Sequence, residues 1–130
     1  MKAFCLLNHQ LTENQLRELK EKYAADEIIY PAGELSAAWS QVKAGPELDN
    51  ELIARVVSWL AAATPGDVLV VQGEFGTTFM LVDYALKRGL VPLHAVSRRV
   101  ASETRDGETV SRHYIFEHVC FRKYAWYPGK

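Results

Sequence analysis

The order of apolar and polar positions divides the chain into short strand-like runs and longer helical stripes. Nearly all-apolar runs of a few residues predict strands buried on both faces, as in a parallel sheet. Apolar residues that recur every three or four positions predict helices packed against that sheet. The predicted strands cover residues 2–7, 27–30, 68–71 and 90–96, and the predicted helices begin after Thr12, within residues 32–45, at Pro46, and at Thr77 or Thr78. We therefore predict an α/β fold with a right-handed, mostly parallel sheet and helices on both faces.

Local signals mark both ends of this pattern. Thr12 and Gln15 form a capping box at the start of the first helix. The charged residues of that helix, Glu18 among them, are typical of a solvated face. Near the C-terminus the pattern alternates, and Asp106-Gly107 between two alternating runs predicts an antiparallel hairpin at the edge of the sheet.

Length and composition fit a single domain spanning residues 1–130. Hydrophobic residues make up 48% of the chain and charged residues 24%, which is an ordinary balance for a globular protein with a core. The formal net charge of -1 argues against a protein that coats duplex DNA through bulk charge.

Cysteine usage and hydropathy indicate a cytoplasmic protein. Cys5 and Cys120 form no CxxC pair and have no histidine at metal-ligand spacing, so we expect both to be reduced core residues. No apolar run approaches the ~20 residues of a membrane span, and the N-terminal residues lack the long apolar core of a signal peptide. We therefore expect no membrane partner.

Several common catalytic motifs are absent from the sequence. It contains neither GxGxxG nor GxxxxGK followed by Ser or Thr, which excludes the usual dinucleotide and nucleoside-triphosphate loops, and it has no GxSxG turn. Its histidines lack HExxH or paired-ligand spacing, so we expect no metal site and no cofactor. Residues 73–76 match the GxxG of KH modules, but so short a match is weak evidence for RNA binding.

The chain is organised around the strand Val68–Val71 and the loop that follows it. This loop contains two glycines and leads into a helix. In open α/β sheets ligands bind at the carboxyl ends of such strands, and the free N–H groups of a helix start favour anions such as phosphate. The alternative is that Gly73 and Gly76 only serve a tight turn.

Polar and charged residues follow three of the predicted strands, and in a parallel sheet they would share one edge. They offer amides for base edges, an aromatic ring for stacking and guanidinium groups for phosphate, which suits a nucleotide or a short RNA. These residues are Asn8, His9 and Gln10; Gln72, Gly73, Glu74, Phe75, Gly76, Thr77 and Thr78; and Ser97, Arg98 and Arg99.

Each of these candidates has a plainer alternative. His9 can cap the first helix or bond within its own loop, and Glu74 can be a solvated loop acid. Because neighbouring strand residues point to opposite faces, one of the two adjacent arginines is expected to face solvent. His118 and Arg122 are further candidates for ligand binding, with outward-pointing hairpin positions as the alternative.

Four stretches give the chain a family resemblance. They are residues 6–12, 71–78 and 96–99, and the Asp106-Gly107 hairpin together with residues 118–124. In these stretches the chain resembles the small stand-alone CRISPR-associated ring nucleases of type III systems, which are relatives of the Rossmann-like (CARF) domains that sense cyclic oligoadenylate. The resemblance implies a Rossmann-like, CARF-like fold and a homodimer whose two-fold pocket binds a cyclic RNA second messenger.

The resemblance also implies an activity, the linearisation of cyclic oligoadenylate, which switches off type III CRISPR signalling. Cyclic tetra-adenylate is the expected ring. A ribose 2′-OH attacks the neighbouring phosphorus without a metal ion and expels the 5′-oxygen, leaving a 2′,3′-cyclic phosphate. This chemistry requires in-line geometry and positive charge on the developing phosphorane.

Expected site roles are assigned from this chain's own residues, since no catalytic residue of the family maps one-to-one onto the chain. Arg98, or the arginine beside it, stabilises the phosphorane, and the glycine-bearing loop with its helix start holds a phosphate. Asn8 and Gln72 read adenine or ribose. His9 is the first candidate for general acid or base, because an unperturbed imidazole titrates near neutrality, and Glu74 is the second.

Three other functions are open at this point. The same pocket could bind a cyclic nucleotide as a sensor or sponge without cutting it. The hairpin and the aromatic tail, with Trp126 and Tyr127, could instead form the docking surface of an interaction protein. A single-stranded RNA-binding module is the third, although the near-neutral charge argues against it.

Overall fold

A five-stranded sheet covered by helices forms the protein, which the computed structural model describes for residues 1–128. The strands are β1 (Lys2–Leu6), β2 (Glu27–Ile29), β3 (Val68–Val71), β4 (Val91–Asp106) and β5 (Thr109–Lys123), and the helices are α1 (Glu13–Tyr23), α2 (Gly33–Ser40), α3 (Asn50–Trp59) and α4 (Phe75–Lys87). Across the sheet the strand order is β2-β1-β3-β4-β5. The first four strands are parallel and β5 is antiparallel to β4. This confirms the predicted mixed α/β fold with an antiparallel C-terminal pair.

The two faces of the sheet carry separate halves of the core. All four residues of β3 are buried, because this middle strand is covered from both sides. On one face, Leu19 of α1 packs in a cluster with Cys5. On the other face, the helices α2, α3 and α4 contribute Trp39, Val56 and Leu81. Helices therefore lie on both faces, as the sequence predicted.

The cysteines are free thiols. Cys5 is buried in β1, and burial raises the pKa of its thiol to about 12. It is therefore protonated and unreactive near neutral pH, as expected of a core residue. Cys120 in β5 is half-buried.

Side-chain caps place two helix starts differently from the sequence prediction. The capping box of α1 is confirmed, with Thr12 and Gln15 bonded to each other's backbone. The helix predicted from Pro46 begins instead at Asn50, because the Asp49 carboxylate accepts the N–H of Leu52 at 3.1 Å. The helix predicted within residues 32–45 ends early, at Ser40. Similarly, α4 begins at Phe75 rather than at Thr77 or Thr78, since residue 74 supplies its cap.

The fourth strand is much longer than predicted. The strand predicted over residues 90–96 and the first arm of the predicted hairpin are one continuous strand, since β4 runs to Asp106 and pairs with β5 along its whole extension. A bulge between Val96 and Ser97 leaves Val119 of β5 as the extra residue. Beyond it, almost every residue up to the Gly107 turn and back is exposed. This extension, residues 97–117, is called the arm below.

The helices are short. The longest, α4, has 13 residues. Within residues 1–128 no helix is both long and apolar enough to cross a membrane.

Candidate functional site

The carboxyl ends of β1 and β3 meet the early part of β4, near Ala95, at one edge of the sheet, and Gln72 joins the three strands. Its backbone N–H donates to the carbonyl of Leu6 at 3.2 Å, because β1 and β3 run side by side. Its side-chain Oε1 accepts the N–H of Ala95 in β4 at 2.8 Å. The Nε2 group of the same amide makes no hydrogen bond to any other residue in the described part of the chain, so it is available to a ligand.

Asn8, His9 and Gln10, which follow β1, are exposed, and two of them are hydrogen-bonded within the protein. Asn8 Oδ1 accepts a hydrogen bond from Ser40 Oγ at the end of α2, at 3.3 Å. The Nδ1 of His9 lies 2.8 Å from the carbonyl of Gln10. A carbonyl only accepts, so Nδ1 carries the proton. This is the bond within the loop that stood as the plainer alternative for His9, and it leaves Nε2 facing solvent as an acceptor.

The start of α4 is capped by the chain's own carboxylate. Glu74 accepts hydrogen bonds from Thr77 Oγ1 at 2.7 Å and from the N–H groups of Gly76 and Thr77 at 2.9 and 3.0 Å. These bonds, the Thr77 hydroxyl foremost, hold the pKa of Glu74 below its ordinary value. Glu74 is therefore an N-cap rather than a solvated loop acid. The phosphate expected at this helix start would have to displace the carboxylate.

Both glycines of the loop have close neighbours. A Cβ on Gly73 would lie 2.7 Å from the indole of Trp39, and one on Gly76 would lie 2.6 Å from Leu48. Neither residue has a positive φ. The Trp39 ring is 2% exposed and cannot move aside, so residue 73 must be small, whereas the Leu48 side chain is 43% exposed and can shift.

Arg98 and Arg99 lie within the arm and not in a loop after a strand, which corrects the sequence interpretation. Because Ala95 is bonded to Gln72, Arg98 lies three residues, or about 10 Å, farther along β4. Alternation along the strand puts Arg98 on the α4 side of the sheet, the same side as His94, and Arg99 on the α1 side. Ser97, likewise exposed, lies at the bulge.

The two arginines have different surroundings. The guanidinium of Arg99 stacks on the Tyr114 ring, 4.7 Å from its centre. Arg98 Nη2 lies 3.2 Å from Glu117 Oε2, with the two side chains 67% and 48% exposed. So exposed an ion pair contributes little stability, and Arg98 can exchange its carboxylate for another anion at small cost.

His118 is not at this edge. Its Nε2 donates to Glu18 Oε1 of α1 at 2.7 Å, and the side chains are only 6% and 10% exposed. The bulge at Val119 turns His118 and Phe121 toward the same helix. Two expectations are corrected by this contact: Glu18 is not solvated, and His118 neither points outward nor reaches the strand ends. Arg122 is exposed and pairs across the ladder with His94.

A cleft of about 620 Å³ lies beside the edge, between α4 and the segment that follows β5. We call it the aromatic cleft. Its lining residues are Gln72, Gly73, Phe75, Thr78, Phe79, Val82, Asp83, Leu86, His94, Ala95, Tyr124, Ala125, Trp126 and Tyr127. Four of the residues expected at a ligand site, Gln72, Gly73, Phe75 and Thr78, are among them.

Sequence reasoning missed most of the cleft. The signal was present in α4, where Phe75, Phe79, Val82 and Leu86 recur at helical spacing. That stripe is not the buried one: Leu81 and the residues aligned with it face the core, whereas Phe75 and Phe79 are 92% and 71% exposed. An apolar stripe beside a fully buried one indicates a second, partly covered surface.

Two interacting rings line the cleft on the strand side. The Tyr124 hydroxyl donates to the carbonyl of Val71 at 2.8 Å, and its ring centre lies 4.7 Å from that of His94. Burial, followed by the positive charge of Arg122, lowers the pKa of His94 from 6.5. His94 is therefore neutral at pH 7 and can both donate and accept a hydrogen bond.

The titratable residues of this region do not converge on one point. Within residues 1–128, no three His, Cys, Asp or Glu side chains lie close enough together to hold a metal ion.

The fold and this edge define a parallel α/β protein with polar strand ends and an aromatic cleft beside them. The chain belongs to the family described as "Uncharacterized protein MJ1673 family", whose sequence model matches residues 1–122. It is 32% identical over 130 residues to "Uncharacterized protein MJ1673" of Methanocaldococcus jannaschii, covering 97% of this chain and 98% of that protein. No solved structure matches the chain.

Proposed function

We propose that this protein is a Rossmann-like, CARF-related ring nuclease that binds cyclic oligoadenylate in the cytoplasm and linearises it without a metal ion. Cyclic tetra-adenylate is the proposed ring, and its loss switches off type III CRISPR signalling. The observation that carries the proposal is the shared edge. There, the strand ends supply an amide at Gln72, an imidazole at His9 and, farther along β4, the guanidinium of Arg98.

The proposed reaction is an in-line transfer at phosphorus. The 2′-oxygen forms a bond to phosphorus, the bond from phosphorus to the 5′-oxygen breaks, and a proton passes from the 2′-OH to the departing oxygen. Arg98 on the α4 side stabilises the negative charge of the phosphorane. His9 has an Nε2 that can accept the proton, because its Nδ1 is held by Gln10. Glu74 is a poorer base, since its carboxylate is fully engaged at the α4 start.

The proposed assembly is a homodimer that covers the arm. A two-stranded hairpin alone is marginally stable in water, yet this one exposes Tyr114, Ile115 and Phe116 by 50%, 55% and 73%. A second copy laid along the arm would bury these side chains. Light scattering should give twice the mass of one chain for the native protein, and one chain for Phe116→Asp.

A sensor or sponge is the second candidate, and one observation favours it. Glu74 is held as a cap and Arg98 is paired with Glu117, so the carboxylate of the edge and the guanidinium of the arm already have partners. Such an edge can bind a ring without activating a nucleophile.

The deciding experiment is incubation of the purified protein with cyclic tri-, tetra- and hexa-adenylate in EDTA, with linear oligoadenylate as control and products resolved by mass. Linear fragments that end in a 2′,3′-cyclic phosphate from one ring size support the nuclease. An intact ring that co-elutes with the protein supports the sensor. Preference for the linear control points to single-stranded RNA binding, and binding to none of them overturns the proposal.

A further inference from the structure

The aromatic cleft has two walls made of exposed rings. Phe75 and Phe79 lie one helical turn apart on α4, and Trp126 and Tyr127 lie in the segment after β5. Their exposures are 92%, 71%, 58% and 88%. Rings left in water on two sides of one cleft provide stacking surfaces for a flat apolar ligand.

The polar groups that lie among these rings are mostly uncharged. Gln72 offers its Nε2 donor, and neutral His94 can accept or donate. Thr78 also lines the cleft, and its buried hydroxyl has no hydrogen-bond partner within residues 1–128. The one acidic lining residue, Asp83, is paired with Lys87 at 2.8 Å, and no lysine or arginine lines the cleft. This environment suits a neutral ligand and offers nothing to hold a phosphate.

We infer that the aromatic cleft is a binding site for a purine base. A purine has two stacking faces, and its edge alternates hydrogen-bond donors and acceptors that Gln72 and His94 can match. The volume of about 620 Å³ lies within the usual range of small-ligand sites, about 300–1,000 Å³. The sugar and phosphates of a nucleotide would lie outside, toward the strand ends. The purine assignment is drawn from the cleft alone, whereas its identification as one adenine of a cyclic ring rests on the proposed function.

The test is a calorimetric titration of the full chain with adenosine, which is neutral and contains no phosphate, with uridine for comparison. Adenosine should bind saturably and more tightly than uridine. Phe79→Ala and Trp126→Ala should each raise the Kd for adenosine at least about tenfold, equivalent to about 1.4 kcal/mol. Both side chains are largely exposed, so the variants are expected to fold, and circular dichroism verifies this.

Two further variants make the test specific. Met80→Ala shortens an apolar side chain, 38% exposed, that is next to Phe79 on α4 but does not line the cleft, and should leave the Kd unchanged. Gln72→Glu keeps an oxygen for the Ala95 N–H and removes the Nε2 donor, so it should weaken adenosine binding.

The outcomes separate this inference from the proposed function. Adenosine binding without ring cleavage overturns the nuclease and keeps the purine site. Ring cleavage that Phe79→Ala and Trp126→Ala leave intact, with no adenosine binding, overturns the purine site and keeps the nuclease. If adenosine does not bind and Trp126→Ala instead abolishes a concentration-dependent dimer, the cleft belongs to a second copy and the inference is wrong.

Discussion

The carboxylate of Glu18 in α1 accepts a hydrogen bond from the His118 ring in β5 at 2.7 Å, on the face of the sheet opposite α4. Its other oxygen accepts the N–H of Phe121 at 2.7 Å. Both of these bonds depend on the bulge at Val119, which turns His118 and Phe121 to one side. The base of the arm is thus anchored to the first helix chiefly by the Glu18 carboxylate, whose side chain is 10% exposed.

Removing this carboxylate should destabilise the fold. Glu18→Ala removes the acceptor of the His118 ring and of the Phe121 N–H. The side chains of Glu18 and His118 are only 10% and 6% exposed at this site. We expect the free energy of unfolding to fall by roughly 2–3 kcal/mol, measured by urea denaturation. The matched control is Glu117→Gln, which breaks the exposed pair with Arg98 and should change stability by less than about 0.5 kcal/mol. Equal losses in the two variants would contradict the buried anchor.

A second prediction concerns Asp67, which joins the turn before β3 to the start of β1. It is 2% exposed and accepts the Thr64 N–H at 2.9 Å, the Thr64 hydroxyl at 3.2 Å and the Lys2 N–H at 3.0 Å. Asp67→Asn replaces one acceptor with a donor, so we expect a loss of roughly 2 kcal/mol in the free energy of unfolding. Asp26→Asn, at a side chain 83% exposed, should have almost no effect.

The pH dependence of the free energy of unfolding gives a second test of Asp67. Burial opposes its charge, but the hydrogen bonds from Thr64 and Lys2 prevail and hold its pKa below 3.8. Its stabilising contribution is therefore complete above pH 3.8 and is lost as the pH falls through the folded pKa. The free energy of unfolding of Asp67→Asn should not show this loss at acid pH.

The fold was predictable because each strand is indicated by a short stretch of the sequence. Short β-branched runs bounded by turn residues are typical of buried strands, and Val68–Val71 is the clearest case. The helix starts at Asn50 and Phe75 were misplaced, because apolar spacing does not locate a start and a capping carboxylate does. The continuity of the fourth strand with the first arm of the predicted hairpin was missed for a similar reason, since a bulge has no sequence signature that marks where pairing continues.

The site was only partly predictable. Residues that follow parallel strands must share an edge, so the positions of Asn8 and Gln72 at this edge were predictable. The aromatic cleft needs α4 and the segment after β5 to meet, and a single sequence does not show that Phe79 faces Trp126. The helical pattern predicts a solvated Glu18, because its buried partner, His118, lies 100 residues away in the sequence.

His94 gives a third prediction, for stability near pH 6. Its pKa is lowered from 6.5, chiefly by burial and secondarily by Arg122. Between the folded pKa and 6.5 the unfolded chain binds more protons, so the free energy of unfolding should decline as the pH falls below about 6.5. Urea denaturation between pH 7 and 5 measures the slope. His94→Gln should flatten that slope and His113→Gln, on the exposed arm, should keep it. A His94→Gln slope identical to the native one would contradict the assignment.

The last prediction separates the two arginines. If Arg98 acts on the phosphorane of the proposed reaction, Arg98→Ala should lower the single-turnover rate about 100-fold and weaken ring binding much less, because the charge it meets develops mainly in the transition state. Arg99→Ala should change the rate only a few-fold, since its guanidinium lies on the α1 side against Tyr114. Rates and affinities for cyclic tetra-adenylate in EDTA check both. A larger loss in Arg99→Ala would assign the opposite face of β4 to the substrate, and a rate restored only by Mg²⁺ or Mn²⁺ would overturn metal-free cleavage.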